Sequence, residues 1–150
     1  MTVAVVDAGG PVLSAIAGKC AEDPGNSTAQ GTAARLEPCN GSAAQKWGDF
    51  SNSTGIPSTH GGQCLSAALP ITDDGSSILA LEGTPVVIAS CDGGTITTAY
   101  AGDWTLMPDG QIVNDDVNMC LADPGNAGAN GTKLVLDDCY GDSGEIWAVG

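Results

Sequence analysis

"CAEDPGNSTAQGT", residues 20–32, returns as "CLADPGNAGANGT", residues 120–132, with eight of the thirteen positions identical. The match continues at the same offset of 100, from Cys39 to Cys139 and from Trp47 to Trp147. Each copy therefore reads Cys, 18 residues, Cys, seven residues, Trp. Two copies so spaced in 150 residues leave room for a third between them, and a repeat of this size governs the reading of the whole chain. Cys64, Cys91 and Trp104 supply it in the same order, with separations of 27 and 13 where the outer copies have 19 and eight. The added length falls in "ALPITDDGSS" after Cys64 and "DGGTITTAYAG" after Cys91, which read as loop insertions. The approaches to each first Cys also rhyme: "GPVLSAIAGKC", "TGIPSTHGGQC" and "GQIVNDDVNMC".

Composition narrows the fold class. One domain is expected at this length. The 22 Gly and 8 Pro, with 15% charged residues, suit many short strands joined by tight turns. No long run shows helical periodicity. No apolar run approaches the ~20 residues of a membrane span, and "MTVAVVDAGGP" lacks the basic start and apolar stretch of a signal peptide. The six cysteines pair most simply within units, as Cys20–Cys39, Cys64–Cys91 and Cys120–Cys139, although six allow 15 connectivities. Metal binding is disfavoured, because no CxxC occurs and His60 is the only histidine. Disulfides imply an oxidising, extracellular setting. Asn26, Asn40, Asn52 and Asn130 each open an Asn-x-Ser/Thr triplet, an acceptor for glycans in a eukaryotic secretory path. A net charge of −14 argues against nucleic acid, anionic membranes and acidic polysaccharides.

Before each second Cys stand "ARLEPC", "VVIASC" and "LVLDDC". Strand alternation puts Leu36, Ile88 and Leu136 on one face with Ala34, Val86 and Leu134, which marks that face as core. Trp47, Trp104 and Trp147 recur once per unit and are expected to share the core. With about four short strands per unit, an all-β fold of about 12 strands follows. The repeats run about 12–56, 57–111 and 112–150. The third stops three residues past Trp147, so "TVAVV" at 2–6 is expected to supply its last strand and close a threefold barrel.

In "GKCAEDPGNSTAQGTAARLEPCNGSAAQKW" and "MCLADPGNAGANGTKLVLDDCYGDSGEIW" the chain resembles the ricin B-chain-type β-trefoil lectins and family-13 carbohydrate-binding modules. The resemblance covers nearly the whole chain and is most specific at Gln45-x-Trp47. It implies a β-trefoil with one intra-repeat disulfide per unit and one shallow sugar pocket per repeat. Such a pocket takes an acid two residues after the first Cys and an aromatic two before the second. Polar residues after that Cys and before the Trp complete it. In unit one these positions hold Glu22, Glu37, Asn40 and Gln45, with Arg35 on the strand face of Glu37; a carboxylate replaces the stacking ring. Unit two has Ser66, Ala89 and Gly102 there, which reads as a lost pocket, while Tyr100 on an insertion is a candidate contact. Unit three has Ala122 and Glu145 at the acid and Gln positions. A rearranged pocket of Asp123, Asn130, Asp137 and Tyr140 is expected, against the simpler reading of Asp123-Pro124-Gly125-Asn126 as a turn.

Catalysis finds no support. His60 sits in a turn-rich stretch with no positioned nucleophile. The carboxylates suggest no glycosidase pair, and Asp73-Asp74, Asp115-Asp116 and Asp137-Asp138 lack EF-hand spacing. No cofactor is implied. The expectation is a secreted, non-enzymatic module that binds a neutral sugar, galactose-like or a plant wall glycan, through unit one or three. The alternative is a trefoil scaffold that binds a protein, as an inhibitor or effector, through the unit-two insertions at 66–80 and 92–103.

Overall fold

In a computed structural model, residues 11–16, 18–26, 29, 31–47, 56–57, 63–70, 81–90, 98–101 and 104–149 are described. Within them the chain forms thirteen short strands and no α-helix. Unit one gives β1 (Val12–Ser14), β2 (Lys19–Glu22), β3 (Thr32–Ala33) and β4 (Arg35–Pro38). Unit two gives β5 (Ile56–Pro57), β6 (Gln63–Pro70), β7 (Thr84–Ser90), β8 (Thr98–Ala101) and β9 (Trp104–Leu106). Unit three gives β10 (Ile112–Asn114), β11 (Met119–Ala122), β12 (Val135–Asp137) and β13 (Trp147–Val149). Every pairing between them is antiparallel.

The repeated Asp-Pro-Gly-Asn shows how sequence sets local structure. β2 and β11 each end at this tetrapeptide, which closes into a 3-10 turn at Pro24–Asn26 and Pro124–Asn126. Proline fixes its own φ, and Gly25 and Gly125 then take φ of 69° and 68°, a left-handed conformation that glycine adopts without steric cost. A second 3-10 turn, at Ala43–Gln45 and Ser143–Glu145, packs beside the first. The N–H of Asp23 donates to the carbonyl of Ala44 at 2.9 Å, and that of Asp123 to Gly144 at 2.8 Å.

The pseudo-threefold axis is visible as a ring of three hydrogen bonds. The N–H of Ala34 donates to Val86, that of Val86 to Leu134 and that of Leu134 to Ala34, at 3.0, 3.1 and 3.0 Å. All three residues are buried, as are Leu36, Ile88 and Leu136. The three tryptophans repeat the symmetry. Trp47, Trp104 and Trp147 are enclosed in the core, and each indole N–H donates to the carbonyl after the first Cys of its unit: Ala21, Leu65 and Leu121, at 3.1, 2.9 and 3.1 Å. A buried indole that satisfies its one polar atom adds apolar area without an unpaired donor.

Units join where a Trp-bearing strand meets the first strand of the next. β9 pairs β10, with Trp104 opposite Asn114, and β13 pairs β1, with Trp147 opposite Ser14. The last unit thus closes onto the first through Val12–Ser14; the strand expected at 2–6 lies outside the described residues. Disulfides join Cys20 to Cys39 and Cys120 to Cys139, each across 19 residues. Cys64 is also disulfide-bonded, and its expected partner Cys91 lies outside the described residues. Of the unit-two insertions, Thr98–Ala101 folds back as β8 along the far half of β6; residues 71–80, His60 and Gly102 lie outside the described residues.

Candidate functional site

The outward face of unit one is built by register. β2 and β4 set Glu22 opposite Arg35 and Cys20 opposite Glu37. Cross-strand partners share a face, so two carboxylates and one guanidinium meet there. Arg35 Nη2 donates to Glu22 Oε2 at 2.9 Å, and Arg35 Nε lies 2.9 Å from Glu37 Oε2. The other oxygen of Glu22 accepts from Gln45 Nε2 at 2.9 Å. The amide of Gln45 is enclosed and fully engaged: Nε2 also donates to the Pro38 carbonyl, and Oε1 accepts the N–H of Asn40, both at 2.9 Å. Asn40 Oδ1 in turn accepts the N–H of Ser42. Glu22, Arg35, Glu37, Asn40 and Gln45, the five unit-one candidates, therefore form one connected network. Beside Gln45 opens a hollow of about 150 Å³ lined by Pro11, Leu13, the Cys20–Cys39 disulfide, Gly41 and Lys46. Its lining supplies apolar wall in a unit that has no ring at the Glu37 position.

Among the described residues, unit two carries no such face. Ser66 stands opposite Val87 and Cys64 opposite Ala89. Ser66, Val87 and Ala89 are all buried, and the Ser66 hydroxyl turns back onto the Cys64 carbonyl.

In unit three the four expected residues do not converge. Asp123 faces inward with 2% exposure, and its Oδ2 accepts the N–H of Gly128 at 2.7 Å. Asn130 reaches into unit one, where Oδ1 accepts from Lys19 Nζ. Asp137 and Tyr140 remain together on the surface, in company the sequence did not suggest. The Tyr140 hydroxyl donates to Glu82 Oε2, from the turn before β7. Enclosed Glu145 accepts the N–H groups of Tyr140 and Gly141 at Oε1, at 2.7 and 3.0 Å. Ala122 and Val135 face each other where unit one has Glu22 and Arg35. The carboxylate of this unit has thus moved from the strand to the 3-10 turn. An offset of 100 from Gln45 marks Glu145 in the sequence; no local signal marks Glu82.

Crowded carboxylates alter one another's titration. The hydrogen bond to Glu82 pushes the Tyr140 phenol up to about 12. The same bond, with a second from Asp138, holds Glu82 below its ordinary value. Asp138 is raised, first by sharing a proton with Glu82 and then by burial. Asp137 is raised by burial and then by the charge of Glu82. Burial raises Glu145, against the two main-chain N–H groups that favour its charged form. Among the described residues no group of three or more His, Cys, Asp or Glu could hold a metal ion, and no helix is long and apolar enough to cross a membrane.

Known structures share this architecture. The agglutinin from Abrus precatorius superposes with a TM-score of 0.74 at 18% identity, over 100% of this chain and 51% of that one. The Rhizoctonia solani agglutinin gives 0.70 at 15% identity, over 99% and 98%. A Macrolepiota procera ricin B-like lectin, solved in complex with lactose, gives 0.68 at 15% identity, over 99% and 98%. The chain spans about half of the Abrus protein and nearly all of the two fungal ones. At these identities the likeness establishes the fold. No curated protein matches by sequence. The family model described as the ricin-type β-trefoil lectin domain matches residues 8–147, and the chain belongs to that family.

Proposed function

We propose that this chain is a secreted, non-enzymatic carbohydrate-binding module, and that the outward face of unit one takes a galactose-like neutral pyranose. The observation that carries the reading is Glu22. Its carboxylate, on a residue only 7% exposed, is held by Gln45 on one oxygen and Arg35 on the other, so the edge that reaches the surface has lone pairs in a fixed direction for sugar hydroxyls. Fixed acceptors beside an apolar wall are what a pyranose needs, and the Pro11–Leu13–disulfide hollow offers that wall. The lactose complex of the Macrolepiota lectin supports a galactose-type ligand on this fold. Disulfides support an oxidising compartment.

A glycan array on the oxidised, monodisperse protein, with and without calcium, tests this reading. Galactose-terminated glycans should bind, and Glu22→Ala should weaken binding at least tenfold, the loss of about 1.4 kcal/mol expected for a charged acceptor of sugar hydroxyls. A blank array on a folded sample sinks it.

A further inference from the structure

We propose that the seam between units one and three contains an anion subsite, formed by Lys133 and the unengaged edge of Arg35, for the carboxylate or sulfate of an acidic sugar next to the pyranose in unit one. The proposal rests on the sugar reading of that face.

Three equivalent junctions around the axis set one residue of each second-Cys strand against a residue of its neighbour. Val87 faces Ala33, and Val135 faces Pro85. At the third junction Arg35 faces Lys133. Like charges directly opposite one another destabilise a sheet, and the two sister junctions show that the fold is satisfied by small apolar pairs. Glu22 and Glu37 flank Arg35 and offset the facing charges, but the strand pairing itself does not call for a cation at 133. It also gathers scarce residues. The chain has four Lys and Arg against 18 Asp and Glu. Arg35 and Lys133 meet here with Glu22 and Glu37, and Lys19 reaches Asn130 three residues before Lys133, which leaves one cation and sixteen acids for the remainder.

Hydrogen-bond donors remain available. Arg35 engages Glu22 and Glu37 through Nε and Nη2 only; among the described residues Nη1 and the exposed Lys133 ammonium have no partner. Glu22, Arg35 and Lys133 lie in one row across the face, so an anion on Lys133 is a neighbour of a ring on Glu22. The −14 of the whole chain does not forbid this. At physiological salt charges are screened beyond about 8 Å, so one acidic residue on a short glycan meets the seam, while a polyanion still meets the acids around it.

Calorimetric titration with lactose, 3′-sialyllactose and 3′-sulfolactose tests the subsite, on the wild type and on Lys133→Ala, which copies Ala33. At about 50 mM salt the acidic sugars should bind about fivefold tighter than lactose, the scale of one or two exposed ion pairs. That advantage should vanish near 500 mM. Lys133→Ala should remove it and leave lactose affinity unchanged. Preference for one acidic sugar only would assign the anion as carboxylate or sulfate. Equal or weaker binding of both acidic sugars, or a preference that survives Lys133→Ala, overturns the subsite while leaving the sugar reading intact. Failure of all three sugars to bind removes both.

Discussion

Gln45 and Glu145 occupy the same place in their units, each enclosed and each accepting a main-chain N–H just past the second Cys. Gln45 also donates, to Glu22 and to the Pro38 carbonyl; an ionised Glu145 has nothing to donate. Glu145→Gln should therefore stabilise the protein by about 0.5–1 kcal/mol at pH 7, read from chemical denaturation, by restoring a neutral hydrogen-bonding amide. The pH dependence follows the same residue. Burial raises the pKa of Glu145 above the ordinary 4.5, so between that value and the raised one the folded state binds more protons than the unfolded chain. Stability should thus rise as pH falls through this window, an effect shared with Asp137 and Asp138. Glu82 is shifted the other way, and its contribution is lost as pH falls below the carboxylate range. Tm should pass through a maximum on the mildly acidic side, and Glu145→Gln should flatten the approach to it. A Tm that falls steadily from pH 7 downward would refute the account. Glu22→Ala should cost about 1–3 kcal/mol, because it leaves Gln45 and Arg35 short of an acceptor. Adding Arg35→Val, the unit-three combination of Ala122 with Val135, should cost less than the sum of the single changes.

The elements carry the symmetry that the cysteine and tryptophan spacings announce. Both described disulfides span 19 residues and tie matched strands, β2 and β11, to positions just past the ends of β4 and β12, so their removal should cost the same. Loop closure of that length contributes about 3 kcal/mol. Cys20→Ser with Cys39→Ser, and the matching pair in unit three, should each lower stability by that amount in urea; a large inequality would show that strain or local packing dominates. Repeats and core faces were legible because each depends on residue type at a fixed offset. β8 was not, since an insertion has no counterpart to align with. The contacts of Asn130 with Lys19 and of Tyr140 with Glu82 were hidden for another reason: they cross between units, where register rather than sequence spacing decides who meets. Asp123 stands in a turn sequence that also offers a carboxylate, and its inward orientation is a product of the fold that spacing does not reveal.

At the scale of the molecule no unit is complete. The hydrogen-bond ring takes one residue from each unit, and the strand that completes the core of unit three is paired in unit one, with Ser14 opposite Trp147. Partners so far apart in sequence make folding slow, in the millisecond-to-second range, and tie the ends of the chain into one cooperative unit. Equivalent positions should then be equally indispensable. Trp147 is buried near the chain end and Trp104 in its middle, yet each fills the same place and makes the same indole bond. Trp147→Ala and Trp104→Ala should each cost about 3–5 kcal/mol, a large part of the ~5–15 kcal/mol of a typical domain. Deletion of 147–150 should abolish the fold of all three units, not fray the third. Circular dichroism and fluorescence followed through one urea titration decide this. Coincident transitions, with similar losses at the two tryptophans, mean that the threefold core folds as a whole. Separate transitions, or a truncated chain that keeps native-like ellipticity, mean that units one and two stand without their closure.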